Sequence, residues 1–159
     1  MKNKHEKKEL YFIAILPPED ILAEIEKFKK ICMKKFNSKH ALRLPSHITL
    51  IPPFQSNEQK ILSLKPVLNE LLIKNISVKL NGFSYFEKRV IYISIEKNNE
   101  LLRLKKHIDE KILIKHKMKT ADLNFIPHIT IASKDLTEEN FILSREYFKY
   151  IEYKRIFKA

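Results

Sequence analysis

Two short stretches decide the fold of this chain: PSHITLI at residues 45–51 and PHITIA at residues 127–132. Each places a His-Ile-Thr triplet in an aliphatic run that a proline opens. The two histidines, His47 and His128, lie 81 residues apart in a chain of 159 residues. With six histidines and four threonines in the chain, a His-x-Thr triplet is expected by chance only about 0.15 times. Two copies in matching contexts therefore indicate a duplicated functional motif.

Strand geometry explains the spacing within each triplet. Side chains alternate along a strand, so His47 and Thr49 share one face while Ile48 points to the other. The same alternation puts His128 and Thr130 on one face. If the two strands pack around a two-fold axis, we expect the two His/Thr pairs to face each other across one cleft.

The segments before the two triplets also match. A strand at residues 11–15 (YFIAI) and one at residues 90–95 (VIYISI) each precede an amphipathic helix and then a triplet. Ile13 precedes His47 by 34 residues, and Ile93 precedes His128 by 35 residues. The pattern predicts a duplicated strand-helix-strand unit with pseudo-two-fold symmetry.

Hydrophobic periodicity and turn signals predict the other elements. Residues 1–8 are predicted to be a flexible basic tail, and residues 9–159 a single two-lobed domain. Besides the strands already named, we expect strands at 46–51, closed by Pro52-Pro53, and at 76–80, 125–132 and 149–157, and a hairpin that joins 83–86 to 90–95. A first helix, opened by Pro17-Pro18, has Ile21, Ile25, Phe28 and Cys32 on its apolar face. A second, capped by Ser56 and Gln59, buries Ile61, Leu64, Leu68 and Leu71; a third at 99–116 buries Leu101, Leu104, Ile108 and Ile112; and a fourth begins at Thr137.

Composition excludes several classes of protein. The single glycine, Gly82, rules out a dinucleotide-binding fingerprint and a P-loop, which need two or more glycines in fixed spacing. The single cysteine, Cys32, rules out an internal disulfide and multi-cysteine zinc sites. A net charge of +12 favours a polyanionic partner, although lysine-rich composition alone accounts for it equally well. No apolar segment is long enough to span a bilayer or to form a signal peptide, so we expect a cytoplasmic protein.

Two imidazoles on opposite sides of a cleft suit displacement at phosphorus. A neutral imidazole removes a proton from the attacking oxygen, and a protonated one delivers a proton to the leaving oxygen. Two hydroxyls nearby can hydrogen-bond the charged phosphate oxygens. No carboxylate lies close in either motif to complete a metal site, so we expect neither a metal nor a cofactor.

The paired motifs, HITL from His47 and HITI from His128, resemble those of the two-histidine (2H) phosphoesterase superfamily, in particular its 2'-5' RNA ligase and 2',3'-cyclic phosphodiesterase group. The resemblance implies an α+β, bilobal, pseudo-two-fold fold with two antiparallel sheets, helices on the outside and a central groove. It also implies that His47 and His128 are the catalytic pair and that Thr49 and Thr130 bind the substrate phosphate.

Five other residues are candidates for substrate contacts near this groove: Tyr11, Arg43, Arg89, Tyr92 and Lys134. Some RNA-ligase members place an arginine just after the second motif. Here Lys134 stands in that region, where it supplies a point charge without the bidentate fork of an arginine.

These observations predict a monomeric, metal-independent phosphoesterase that opens 2',3'-cyclic phosphates of nucleotides or RNA ends. Its partner would be RNA or a nucleotide carrying a cyclic phosphate or a 2'-5' linkage, and no membrane. Two alternatives stay open: a reversible 2'-5' RNA ligase at the same site, and an RNA-binding or regulatory module with little turnover.

Overall fold

The structure is a computed structural model that describes residues 8–71, 75–110 and 124–159. Its elements, in chain order, are β1 (Glu9–Ile15), α1 (Glu19–Phe36), a short 3-10 helix (His40–Arg43), β2 (Ile48–Ser56), α2 (Glu58–Leu71), β3 (Ser77–Phe86), β4 (Val90–Ile95), α3 (Asn99–Ile108), β5 (His128–Ala132), α4 (Glu138–Lys149) and β6 (Lys154–Lys158). No helix in these ranges is long and apolar enough to cross a membrane.

The six strands form one antiparallel sheet in the order β1-β2-β5-β4-β3-β6. The α+β class is therefore confirmed. The resemblance implied two antiparallel sheets, whereas in the structure β1-β2 and β5-β4-β3-β6 form one sheet, joined at its centre by a single pair, Ile48 opposite Ile129. Each isoleucine is the middle residue of a His-Ile-Thr triplet. The two halves thus meet at the duplicated motif itself.

The alternation predicted for the motif strands is present. Ile48, Leu50, Ile129 and Ile131 are all buried in the core, whereas the histidines and threonines between them are only half-buried. Helix α1 packs against β5 and α4, and α4 packs against β3 and β4. The core therefore lies on the isoleucine face of the sheet, which leaves the histidine face open to solvent.

We expected strand β2 to end at Pro52-Pro53, but it continues through both prolines. Its pairing with β1 matches Ile13 to Ile51 and Tyr11 to Phe54, so two prolines lie opposite the single residue Phe12. This is a bulge, which accommodates prolines because the strand loses regular hydrogen bonding there in any case.

Helix α2 differs from expectation at its start and in its middle. Its cap is Asn57, whose Oδ1 accepts a hydrogen bond from the Lys60 N–H at 3.0 Å, so the predicted Ser56 cap is wrong by one residue. Ser56 instead ends β2. The helix continues across Pro66, which removes one backbone donor but does not end the helix.

The remaining helices and strands are of the predicted type, but their first or last residues differ from the prediction. Strand β5 begins at His128, because Pro127 has no N–H to offer the sheet, and β6 begins at Lys154 after a longer α4. Leu101, Leu104 and Ile108 are buried along α3, as predicted. The predicted end of that helix, with Ile112 and His116, lies outside the described residues, as do residues 1–7 of the predicted tail.

A carboxylate just after β5 ties the two halves together. Asp135 accepts hydrogen bonds from the Ser38 hydroxyl at 2.7 Å and from the N–H groups of Lys39 and His40 at 2.8 and 2.7 Å. Partial burial raises the pKa of Asp135, but these hydrogen bonds outweigh that effect and hold the pKa below its usual 3.8. Asp135 thereby holds the segment that leads into the 3-10 helix.

We expect Asp135→Ala to lower the free energy of unfolding by about 1 kcal/mol at neutral pH, because buried Ser38 and two N–H groups lose their acceptor while water replaces only part of it. Urea denaturation measures the change. Since the pKa is lower in the folded state, the contribution is present above pH 3.8 and is lost as the pH falls through the folded-state value. Glu152→Ala, at an exposed site, is the control; equal effects of both substitutions would contradict the role of Asp135.

Candidate active site

The single strand pair between the two halves determines how the motif residues face each other. Because Ile48 lies opposite Ile129 in an antiparallel pair, His47 lies opposite Thr130 and Thr49 lies opposite His128. Directly opposed residues have Cβ atoms about 5 Å apart, and diagonal neighbours such as His47 and His128 about 7–8 Å apart. The register therefore sets the two imidazoles on one face of the sheet, diagonally across the strand pair.

Both imidazoles are oriented by the same backbone contact. His47 Nδ1 lies 2.7 Å from the Pro45 carbonyl oxygen, and His128 Nδ1 lies 2.7 Å from the Ile126 carbonyl oxygen. A carbonyl oxygen only accepts hydrogen bonds, so Nδ1 carries the proton in each ring. In the neutral form each Nε2 then has a free lone pair for proton transfer.

Aromatic rings support the two imidazoles unequally. The Phe12 ring lies 5.0 Å from the His47 ring, between centroids, and is partly exposed. His128 has two such neighbours, Phe86 at 4.9 Å and Tyr92 at 5.0 Å. The second imidazole is therefore the more enclosed by apolar groups.

This enclosure changes the acidity of His128. Burial disfavours the imidazolium and lowers the pKa of His128 below its usual 6.5. The hydrogen bond to the Ile126 carbonyl opposes that shift, while nearby His47 adds to it more weakly. At neutral pH His128 is consequently a neutral imidazole with Nε2 as a proton acceptor.

Two cavities open on either side of the paired motifs. The one beside His47, here called the His47 cavity, has a volume of about 360 Å³ and is lined by Lys29, His40, Arg43, His47, Thr130 and Ser133, among others. The His128 cavity has a volume of about 530 Å³ and is lined by Thr49, Pro52, Phe86, Lys105, Phe125 and His128, among others. Each cavity combines the histidine of one motif with the threonine of the other, as the strand register requires.

The structure places some of the five other candidates near the motifs and some away from them. Arg43 lines the His47 cavity, and Tyr92 packs against the His128 ring. Tyr11 packs near Phe54 and lines neither cavity. Arg89 and Lys134 lie in turns with positive φ values of 59° and 58° and line neither cavity.

Two residues at the His47 cavity were not expected there. Lys29 is fully buried, although the apolar face predicted for α1 did not include it. Its position continues the series Ile21, Ile25, Lys29, and this helical spacing was the signal that would have placed it inward. His40, for which no role was predicted, is half-buried at the cavity, and Asp135 accepts a hydrogen bond from its N–H.

The described residues hold no group of three or more His, Cys, Asp or Glu side chains that is arranged to bind a metal ion. The side chains brought together here can transfer protons through His47 and His128, donate hydrogen bonds from Thr49 and Thr130, and supply positive charge from Lys29 and Arg43 in the wall of the His47 cavity.

Two known proteins and one solved structure are similar to this chain. A "Putative phosphoesterase" of Geobacillus sp. (strain WCH70) is 32% identical over 135 residues, which span 82% of this chain and 72% of the relative. A similarly named protein of Geobacillus kaustophilus is 31% identical over 125 residues, covering 76% of this chain and 67% of the relative. The crystal structure of E. coli LigT complexed with 3'-AMP matches the fold with a TM-score of 0.59 and 19% identity, over 82% of this chain and 76% of LigT.

The family model for the 2'-5' RNA ligase superfamily matches residues 17–153, which include both motifs and the helices between them. The chain therefore belongs to the 2'-5' RNA ligase superfamily, within the two-histidine phosphoesterases that its paired motifs resemble.

Proposed function

We propose that this protein is a metal-independent phosphoesterase that opens 2',3'-cyclic phosphates of nucleotides or RNA ends. The observation that carries the proposal is the pair of imidazoles, each fixed through Nδ1 to a backbone carbonyl and set diagonally across the groove. Both motifs come from one chain, so a single copy holds all four residues. A monomer is therefore sufficient for the activity.

The two histidines divide the proton transfers. His128, kept neutral by its aromatic surroundings, is the general base that removes a proton from the attacking water. The water oxygen bonds to phosphorus while the bond from phosphorus to one ribose oxygen breaks. His47 is the general acid that gives its Nε2 proton to that oxygen, so the product is a phosphate monoester with a free neighbouring hydroxyl.

The two threonines bind the phosphate as the charge on its oxygens grows. Thr130 faces His47, and Thr49 faces His128, so each hydroxyl lies beside the imidazole of the other half. A hydroxyl donor in this position stabilises the transition state more than the ground state, because negative charge concentrates on the non-bridging oxygens during displacement.

A second function is favoured by one observation. The groove has a cavity on each side of the phosphate position. A 2'-5' phosphodiester places a nucleoside on each side of its phosphorus, so the same site has room for the substrate of a reversible 2'-5' RNA ligase. Water and a ribose hydroxyl would then compete for the position beside the general base.

Substituting either histidine tests the proposed chemistry. Each of His47→Ala and His128→Ala should lower kcat/KM about 10²- to 10⁴-fold on nucleoside 2',3'-cyclic phosphates, because each removes one proton-transfer group. The assay is hydrolysis of the four such substrates with EDTA present, followed by identification of the 2'- or 3'-phosphate product. His107→Ala, at an exposed site on α3, is the control.

Different outcomes would select between the functions. Turnover of 2'-5' dinucleotides but not of mononucleotide substrates would favour the ligase. Retained RNA binding, with no turnover by the unsubstituted protein on either substrate, would leave the binding module and refute the enzyme. Loss of activity with EDTA would contradict the metal-independent mechanism.

The assignment of His128 as the base predicts the pH profile. A base works only when unprotonated, and burial lowers the pKa of His128 below 6.5, so the acid limb of kcat/KM should have its midpoint below pH 6.5. Phe86→Ala should move that midpoint upwards, because removing one ring rehydrates the imidazolium. Phe12→Ala, which changes the ring beside His47, is the matched variant and should leave the acid limb in place. The reverse pattern would exchange the two roles.

A further inference from the structure

Lys29 is a buried cation in the wall of the His47 cavity. The residue is 1% exposed, and its Nζ donates a hydrogen bond to the Leu44 carbonyl oxygen at 2.9 Å. Across residues 8–71, 75–110 and 124–159, no carboxylate lies within ion-pair distance of this ammonium. An ammonium has three N–H donors, so one neutral acceptor leaves it incompletely satisfied.

The other buried lysine shows what a structural cation looks like in this chain. Lys105 is 5% exposed, and its Nζ donates to both carboxylate oxygens of Asp109 at 2.5 and 2.7 Å. Its charge is therefore neutralised within the fold. Burial of an ammonium without a counter-charge is costly, and burial lowers the pKa of Lys29 accordingly. Lys29 lacks the anion that Lys105 has.

Glu26, three residues earlier on α1, lies beyond ion-pair distance and raises the pKa of Lys29 less than burial lowers it. Arg43 and His40 line the same cavity, and no Asp or Glu is among its described lining residues. Asp135 accepts a hydrogen bond from the His40 N–H, and so fixes the start of the 3-10 helix, which carries His40 and Arg43. The cavity thus combines a fixed positive wall with a volume of about 360 Å³, within the range of small-ligand sites.

We propose that Lys29 and Arg43 form a second anion subsite, which binds a phosphate of the substrate other than the phosphate that reacts. This inference rests on the proposed function for the identity of the reacting group. It defines the substrate class as nucleotides that carry a further phosphate next to the cyclic one. A 5'-terminal phosphate and an internucleotide phosphodiester share the required chemistry.

The subsite also orients the substrate. The second phosphate belongs to the same nucleotide as the ribose oxygens of the cyclic phosphate. Binding it in the His47 cavity therefore places the leaving ribose oxygen on the side of His47 and the attacking water on the side of His128. This agrees with the acid and base roles that the burial of His128 favours.

Binding of unreactive product analogues tests the subsite without requiring turnover. Isothermal titration compares adenosine 3'-phosphate with adenosine 3',5'-bisphosphate and with the dinucleotide ApAp, which has an internal phosphodiester and a 3'-phosphate. The protein should bind at least one of the two longer ligands about tenfold more tightly or better, as a charge-assisted hydrogen bond to phosphate provides. The ligand that gains affinity identifies the source of the phosphate.

Substitutions locate that gain. In Lys29→Met the affinity ratio between the longer ligand and adenosine 3'-phosphate should fall towards one, and in Arg43→Gln it should fall by several-fold. Lys30→Met, on the exposed side of the same helix, is the matched control and should keep the ratio. A purely structural Lys29 would weaken all three ligands together and would not change the ratio. Arg43, which is exposed, keeps the test available if Lys29→Met does not fold.

Two results would overturn the subsite: equal affinities for all three ligands in the unsubstituted protein, or a ratio that survives both Lys29→Met and Arg43→Gln. The outcome is independent of catalysis. A lysine-dependent ratio in a protein that turns over no cyclic phosphate would retain the subsite and refute only the proposed activity.

Discussion

The pairing of Ile48 with Ile129 is the constraint on which the site depends. It is the only residue pair between β2 and β5 in the described sheet, and it lies at the centre of both motifs. Side chains alternate with a period of two, so a shift of one residue in either strand would bury that strand's histidine and threonine and expose its isoleucines. The buried isoleucines therefore hold the register, and the register sets the separation of the two imidazoles.

A duplicated motif would by itself give two equivalent histidines, yet the general acid and general base proposed here need different protonation states. In both halves a backbone carbonyl oxygen lies 2.7 Å from Nδ1, so the backbone orients the two imidazoles in the same way. The packing supplies the difference. His128 packs against two aromatic rings that also contact each other, and His47 has one that is partly exposed. Symmetry positions the pair, and unequal burial makes one of them the better base.

Sequence periodicity predicted the buried residues correctly wherever the local pattern alone decides which side chains are buried. It placed Ile48 and Leu50 in the core and predicted the buried faces of α1 and α3. It failed where a distant contact decides the structure. Nothing near Pro52-Pro53 shows that they form a bulge in β2 opposite Phe12, and nothing near His40 shows that Asp135, 95 residues away, holds its backbone.

Lys29 is a further residue that periodicity did not predict correctly, and its charge makes the two sides of the groove chemically different. A lysine at a core position is expected to reach solvent along its aliphatic stem, but the Leu44 carbonyl holds its ammonium inside. Keeping the charge there costs stability, part of which an anion bound in the adjoining cavity, as proposed, would return. The His128 cavity, with Phe86 and Phe125 in its wall, presents apolar surface instead. If the reacting phosphate lies between the two cavities, as proposed, its two sides favour different chemical groups, so a duplicated fold can bind an asymmetric substrate in one direction.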